Sequence, residues 1–349
     1  MKILMFTPNY YPNIGGVERH VKSVAENLIK HGDKVTIITK KTDSAALDFE
    51  IIEGANVIRV AYKTLPEMWL WILQNIKLIK ESDVIHCHDY ASFIYWYLPF
   101  RFLFRSKRVY ITFHGFEGKV PIQTMAILLR SVAEKLTRGN ICIGHFIPKW
   151  YGTKPTFISY GGVANSFSSR EVGVEANDAI YIGRLEKDTG ILTYIAALIV
   201  LKENYGIDIK LTICGDGSLR DQIEYLVKTN SLKVNLLGFV ENPTPYLINS
   251  KFAFVSGYLA ILEAMSKKKV VISVYDNAIK KDYLTMIPDS NKTMIISSSA
   301  EEVASHLQKL IDIDADYARM IEEGYDFAKN HSWDSVMEMY LKLWNDDSL

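Results

Sequence analysis

DAIYIGRLEKDTG, residues 178–190, is the stretch on which the fold turns. An apolar run of strand length, Ala179–Ile182, stops at Gly183 and Arg184, and helical periodicity takes over near Gly190. The chain has already done this once, at its start. There KILMF (Lys2–Phe6) precedes a helix whose apolar positions Val17, Val21, Val24, Ala25, Leu28 and Ile29 follow the i, i+4, i+7, i+8 pattern, closed by a glycine at Gly32. KVTIITK (34–40), NVIRVAY (56–62), DVIHCH (83–88) and RVYITFH (108–114) continue the first series as buried strands. KLTICG (210–215), KVNLLGF (233–239), KFAFVS (251–256) and VVISVY (270–275) continue the second. Short unbroken apolar runs suit parallel strands covered on both faces. Two such series predict two doubly wound α/β domains, with a ligand in the cleft where they face each other. SFSSREVGVEAND (166–178), polar and without period, is the expected linker.

The 349 residues are enough for two domains with real cores. A formal net charge of +0 carries no polyelectrolyte signature, so nucleic acid is excluded as an expected partner. Cys87, Cys142 and Cys214 are odd in number and have no metal-type spacing, which favours a reducing compartment over a disulfide framework. Nowhere do eighteen apolar residues run without a charge, so no membrane-spanning helix is expected. The apolar start of MKILMFTPNYYP is too short for a secretory signal and reads as a first strand.

Several short patterns could carry chemistry. Gly15 and Gly16 lie between the first strand and the first helix, where backbone N–H groups could approach a phosphate; the alternative is a plain turn. In CGDGSLR the third glycine of a dinucleotide fingerprint is replaced by Arg220, which argues against a Rossmann NAD site. Arg184 sits at a strand end before a helix, a place that suits an anionic ligand. His86 and His88 share one strand face and read as cleft-lining or structural rather than as metal ligands, since no third ligand is near. His114 ends a strand before a glycine. Asp312, Asp314 and Asp316 in DIDAD read as a solvated helix start, not a metal motif. In FVSGYLAILEAM (254–265) the carboxylate of Glu263 stands alone in an apolar stretch and needs a partner.

The order of these motifs is more specific than any of them. YYPNIGGVERHVKSVAENLIKHGDKVTIIT, DVIHCHD, FHG, YIGRLEKDTG, LTICGDGSLRDQI, LLGFVE and ILEAM…VVIS follow one another in an order that resembles the family-4 glycosyltransferases of the GT-B fold, over nearly the whole chain. The resemblance implies two Rossmann-like domains facing a central cleft, and a retaining, metal-independent, hexosyltransferase-type enzyme. HSWDSVMEMYLKLW (331–344) resembles the family's terminal segment, so the expected domains are 1–167 on the acceptor side, 168–329 for the nucleotide sugar, and 330–349 as a helix returning to the first. No cofactor is implied; the nucleotide sugar is a substrate, with uridine the expected base. Glu263 would bond the ribose hydroxyls, Arg184 would neutralise the leaving diphosphate, and His114 would lie by the reacting sugar. Gly15, Gly16, Thr189, Gly215, Phe239, Val240, Gly257 and Tyr258 complete the donor contacts that the resemblance implies.

Two positions depart from the family. Val255 stands where a second glutamate is usual, eight residues before Glu263, and Thr189 stands where a lysine usually precedes the glycine. Loss of one anion and one cation together fits a coherent variant site; an inactive donor-binding partner subunit of another glycosyltransferase is the alternative. The acceptor expected is a glycan or lipid-linked molecule. Trp69, Trp71, Phe93, Tyr95, Trp96, Tyr97, Phe100, Phe102 and Phe104, followed by Arg101, Arg105, Lys107 and Arg108, have the composition of an interfacial surface, and equally that of helices buried in a large α/β domain. The expectation is a cytoplasmic protein whose N-terminal domain docks weakly, reversibly and salt-sensitively on the anionic inner face of the cell membrane.

Overall fold

The computed structural model describes residues 1–13, 15–115, 118, 120–164, 178–312 and 314–346, with the backbone alone at 312 and 314–317. The linker segment 166–177 therefore lies outside the described residues, as do the side chains of Asp312, Asp314 and Asp316. The chain forms two compact units, Met1–Gly161 together with the segment beginning at Trp333, and Gly162–Ser332.

In the first unit, β1 (Lys2–Thr7), β2 (Lys34–Lys40), β3 (Phe49–Ile52), β4 (Ala55–Val60), β5 (Val84–His88), β6 (Arg108–Phe113), β7 (Gly139–Ile143) and β8 (Phe157–Ser159) build one sheet. Its order is β3-β4-β2-β1-β5-β6-β7-β8. The central strands are buried along nearly their whole length, and Met5 of β1 lies opposite Ile37 on one side and His86 on the other. The edge differs from the all-parallel expectation. β3 runs antiparallel to β4 through a two-residue turn at Glu53 and Gly54, whose φ angles are 47° and 84°. Positive φ at both turn positions matches the twist of a hairpin, and the alternating exposure of Phe49–Ile52 fits an edge strand with one face in water.

The Trp333–Asn345 helix belongs to this unit. It packs on the Gly16–Lys30 helix and buries Val336, Tyr340, Leu343 and Trp344. Each buried aromatic of this size removes 150–250 Å² from water, on the order of 4–6 kcal/mol before conformational entropy is subtracted.

The second unit holds β9 (Ala179–Ile182), β10 (Leu211–Cys214), β11 (Val234–Gly238), β12 (Phe252–Phe254), β13 (Val270–Val274) and β14 (Met294–Ser297), all parallel, in the order β11-β10-β9-β12-β13-β14. The chain winds outward from β9 to β11, then crosses back to β12 on the other side of β9. The two directions diverge between β9 and β12, and that is the topological switch point. The Ile191–Tyr205 and Ala300–Asp312 helices cover one face together. Tyr194 stacks on Phe254 with ring centroids 4.8 Å apart, and its hydroxyl donates to the Ile272 carbonyl at 3.0 Å.

The aromatic segment of the first unit divides. A π-helical turn at Ser92–Tyr97 interrupts the helix and helps to turn Phe93, Trp96, Tyr97 and Phe100 into the core. Leu70, Leu73, Tyr95, Phe102 and Leu103 stay exposed on the same set of packed elements. The cations after them are partly committed. Lys107 donates to the Lys80 and Ser82 carbonyls, Arg101 to those of Leu136 and Arg105, and Arg108 to those of Asp83 and Trp344. Among the described residues no helix is long and apolar enough to cross a membrane.

Candidate functional site

In the first unit the C-terminal ends of β5 and β6 carry a histidine cluster. His114 follows β6, is 8% exposed, and its Nε2 lies 3.0 Å from His88 Nδ1. Its backbone N–H donates to Asp89 Oδ1 at 3.1 Å, and Asp89 is a non-glycine residue at φ 63°, a conformation held only where surroundings insist on it. Behind this pair, His20 Nε2 meets Tyr340 Oη at 3.0 Å, Tyr340 Oη meets Thr112 Oγ1 at 2.9 Å, and Thr112 Oγ1 meets His86 Nε2 at 2.8 Å. Trp344 Nε1 closes the chain by donating to His86 Nδ1 at 3.1 Å. Burial holds His20 and His86 down to about 3. His88 and His114 are held well below the ordinary value, again first by burial. The cluster is therefore neutral at pH 7. Among the described residues no three His, Cys, Asp or Glu side chains converge to hold a metal ion.

Gly15 is the N-cap of the Gly16–Lys30 helix in extended conformation, φ −170°. A Cβ there would collide with the Glu18 carboxylate, which folds back over the glycine, whereas a Cβ at Gly16 would meet nothing within 4 Å. An acidic side chain thus fronts Gly15, and a phosphate approaching it would have to displace Glu18. Gly16 is open.

In the second unit the residues at the switch point come together. Arg184 follows β9, is 61% exposed at its side chain, and pairs with Asp188 at 2.9 Å. Thr189 spends its hydroxyl on the Glu186 carbonyl at 2.7 Å, fixing the tight turn that ends at Gly190. Gly190 sits at φ 79° with Val274 against it, so no larger residue fits. Across the switch point, Ser256 Oγ donates to the Thr189 carbonyl at 3.1 Å. Gly257 caps the Tyr258–Ser266 helix, and a Cβ there would meet nothing within 4 Å. The open space in front of it is what a ligand's close approach needs.

Tyr258 and Gly215 are both engaged within the fold. Tyr258 is buried and stacks on Tyr283, ring centroids 3.9 Å apart; its hydroxyl donates to the Tyr283 carbonyl at 2.8 Å and its N–H to the Tyr283 hydroxyl at 2.9 Å. That bond occupies one of the amides at the helix start that an anion could use. Gly215 packs its backbone on Gly183, whose carbonyl a Cβ would strike, so it serves close packing beside Arg184. Phe239 is 57% exposed after β11, and Val240 is half-buried next to it. Glu263 lies one turn from Lys267, whose ammonium burial disfavours and whose charge the Glu263 carboxylate supports. Val255 is fully buried, 0% exposed, with its carbonyl accepting from Ser273 Oγ.

Sequence reasoning passed over Lys280 and Tyr283. Lys280 Nζ donates to the Ser256 carbonyl at 2.7 Å and lies 4.4 Å from the Tyr283 ring centroid. One signal was available: Asn277, the N-cap whose side chain accepts from the Lys280 N–H at 2.9 Å, is three residues upstream.

Residues 14–147 match the model of Glycosyltransferase Family 4, and residues 164–327 that of Glycosyl transferases group 1. The chain is a family-4 glycosyltransferase. Family members of this kind are retaining enzymes, and the two Rossmann-like parallel sheets are those of the GT-B fold. An uncharacterized glycosyltransferase of Methanocaldococcus jannaschii is 26% identical over 283 residues, 70% of this chain and 71% of that one. A Campylobacter jejuni α-1,4-N-acetyl-D-galactosaminyltransferase acting on an undecaprenol-linked glycan is 26% identical over 48% of this glycosyltransferase and 47% of its own length. The Anabaena protein Alr3699/HepE, solved in complex with UDP, superposes with a TM-score of 0.80 at 13% identity, covering 98% of this chain and 99% of that one.

Proposed function

We propose that this glycosyltransferase moves a sugar from a uridine diphosphate sugar to a glycan or lipid-linked acceptor, and that the donor sits at the C-terminal ends of β9 and β12. The observation that carries this reading is the convergence of Arg184, Thr189, Ser256 and the open start at Gly257 on the switch point of the second sheet. Ligands of open α/β sheets bind in that crevice. UDP in the Anabaena neighbour and the undecaprenol-linked glycan of the Campylobacter relative support the donor base and the acceptor class. In this reading Arg184 leaves Asp188 for the diphosphate, Glu263 takes the ribose hydroxyls, and Phe239 and Val240 flank the base.

The test is a nucleotide-sugar panel read by thermal stabilisation and by slow hydrolysis of the donor. Ligand at about a hundred times its Kd adds roughly 2.7 kcal/mol, a clear shift in Tm. Stabilisation by UDP-sugars with release of free sugar is the expected result. Stabilisation with no turnover on any acceptor would favour a donor-binding partner subunit, the reading to which the buried Val255 at the usual glutamate position lends weight.

The exposed Leu70, Leu73, Tyr95, Phe102 and Leu103 support peripheral docking of the first unit on a membrane. With Lys107, Arg101 and Arg108 engaged on carbonyls, that docking rests on apolar contact more than on charge. Recovery with sedimented vesicles should therefore persist at high salt; no recovery at either salt would leave a soluble acceptor as the better reading.

A further inference from the structure

We propose that Lys280 is the cation that meets the donor's diphosphate, taking the place of the lysine that position 189 lacks. The inference rests on the reading of the second unit as the nucleotide-sugar unit. It starts from a connection that the sequence does not show. β12 and β13 are parallel neighbours, Phe254 opposite Ile272, so the loops that follow them lie side by side. The Ala278–Thr285 helix begins four residues after the end of β13 and sends Lys280 back to the Ser256 carbonyl at 2.7 Å. Ser256 in turn holds the Thr189 carbonyl through its hydroxyl at 3.1 Å. One short chain of hydrogen bonds thus joins Lys280 to the residue whose side chain departs from the family.

The charge environment points the same way. Lys280 lies close enough to Arg184, Asp188 and Asp276 for each to act on its protonation. Arg184 and Lys280 therefore form a pair of cations around the switch point, Arg184 paired with Asp188 and Lys280 acted on by both Asp188 and Asp276. A lysine in the first turn of a helix opposes the helix dipole, which prefers anions there. Among the described residues the Lys280 ammonium makes a single hydrogen bond, to Ser256, and it carries three donors. The remaining donors and the adverse dipole are both accommodated by an anion arriving from outside. Burial lowers Lys280 to about 8, with Asp188 and Asp276 pulling it up and Arg184 pushing it down. A diphosphate would draw a proton onto it.

The experiment compares UDP with uridine, which lacks the phosphates, by calorimetry on the full chain. In Lys280→Gln the ratio of UDP to uridine affinity should fall ten- to a hundredfold while uridine binding holds. Thr189→Lys added to that variant should restore at least half of the loss on a logarithmic scale, and Lys280→Arg should stay within about threefold of wild type. If Lys280→Gln does not fold, wild type alone decides: the ratio should fall as pH rises through about 8, with Arg184, Asp188, Asp276 and Tyr283 as the other charged or titratable groups facing the ammonium. An unchanged ratio, or an equal loss for both ligands, would make Lys280 a structural tie and overturn the inference while leaving the donor reading intact. Wild type that binds no nucleoside diphosphate at all, with UDP, ADP and GDP as probes, would overturn the donor reading itself.

Discussion

The strand ends of the two sheets carry polar groups of opposite character. In the first unit His20, Tyr340, Thr112, His86 and Trp344 are buried, neutral and bonded to one another in series. In the second, Arg184, Asp188 and Asp276 are exposed and charged, and Lys280 stands half-buried among them. A neutral series in a dry interior is satisfied internally and fixes where the C-terminal helix sits. Exposed ion pairs contribute little to stability, and a stronger anion can displace an aspartate from them. The first arrangement is built to hold the fold, the second to exchange partners.

Removing the C-terminal helix's anchor should have the largest effect. Trp344→Ala deletes a buried indole and leaves the His86 ring without its donor, an expected loss of about 3–5 kcal/mol in urea unfolding. Nucleotide binding by the second unit should survive. Equal loss of both would break the contrast, because the helix would then support the whole molecule rather than one unit.

Acid should separate the units next. His20 and His86 are held at about 3 in the folded protein, against about 6.5 unfolded, so the unfolded chain takes the proton first. Their contribution is complete above 6.5 and drains as pH falls toward 3, by at most about 1.4 kcal/mol per pH unit for each. Trp69, Trp71, Trp96, Trp150, Trp333 and Trp344 all lie in the first unit, so tryptophan fluorescence reports on it alone. Between pH 7.5 and 5 the fluorescence midpoint should move further than the far-UV circular dichroism midpoint. Coincident midpoints would show that the network does not set the acid limit.

Arg184→Ala should then lower turnover by about a hundredfold and affect KM less, because charge on the β-phosphate grows as the glycosidic bond breaks. Asp188→Asn sharpens the comparison. It removes the partner that Arg184 must leave, so donor affinity should rise. Unchanged kcat in Arg184→Ala would take this residue out of the reaction.

What could be read from residues alone follows the same divide. β1, β2, β4, β5, β6 and β9 to β13 announce themselves as apolar runs. β3, β7, β8 and β14 do not: FEII alternates with a glutamate, GNICI opens on glycine and asparagine, FIS spans three residues, and MIIS directly follows the polar Ser290–Thr293 turn. Strand-end positions such as Arg184 and His114 were legible because a strand's end is a local property. The bond from Lys280 to Ser256 was not, since it depends on β12 and β13 lying side by side. Nor was the Tyr258–Tyr283 stack, which buries the Tyr258 ring. The His20–Tyr340 bond joins residues 320 apart in sequence. No local pattern encodes that.

Glu263→Ala should have the smallest effect and still separates two roles for one carboxylate. Its lone position in an apolar stretch raised the question of a partner, and the helix supplies Lys267 one turn on. If the carboxylate accepts the ribose hydroxyls, its removal should cost UDP and uridine alike about 1.5–3 kcal/mol, since both carry the ribose. If it mainly steadies Lys267, ligand affinity should hold and the urea midpoint should shift slightly, because a partly exposed pair is worth about 0–1 kcal/mol. Glu263→Gln keeps the shape and an acceptor oxygen while dropping the charge, so it should recover part of the ribose contribution. Full nucleotide affinity in a folded Glu263→Ala variant would place the ribose contact elsewhere and leave Glu263 as half of an ordinary helix pair.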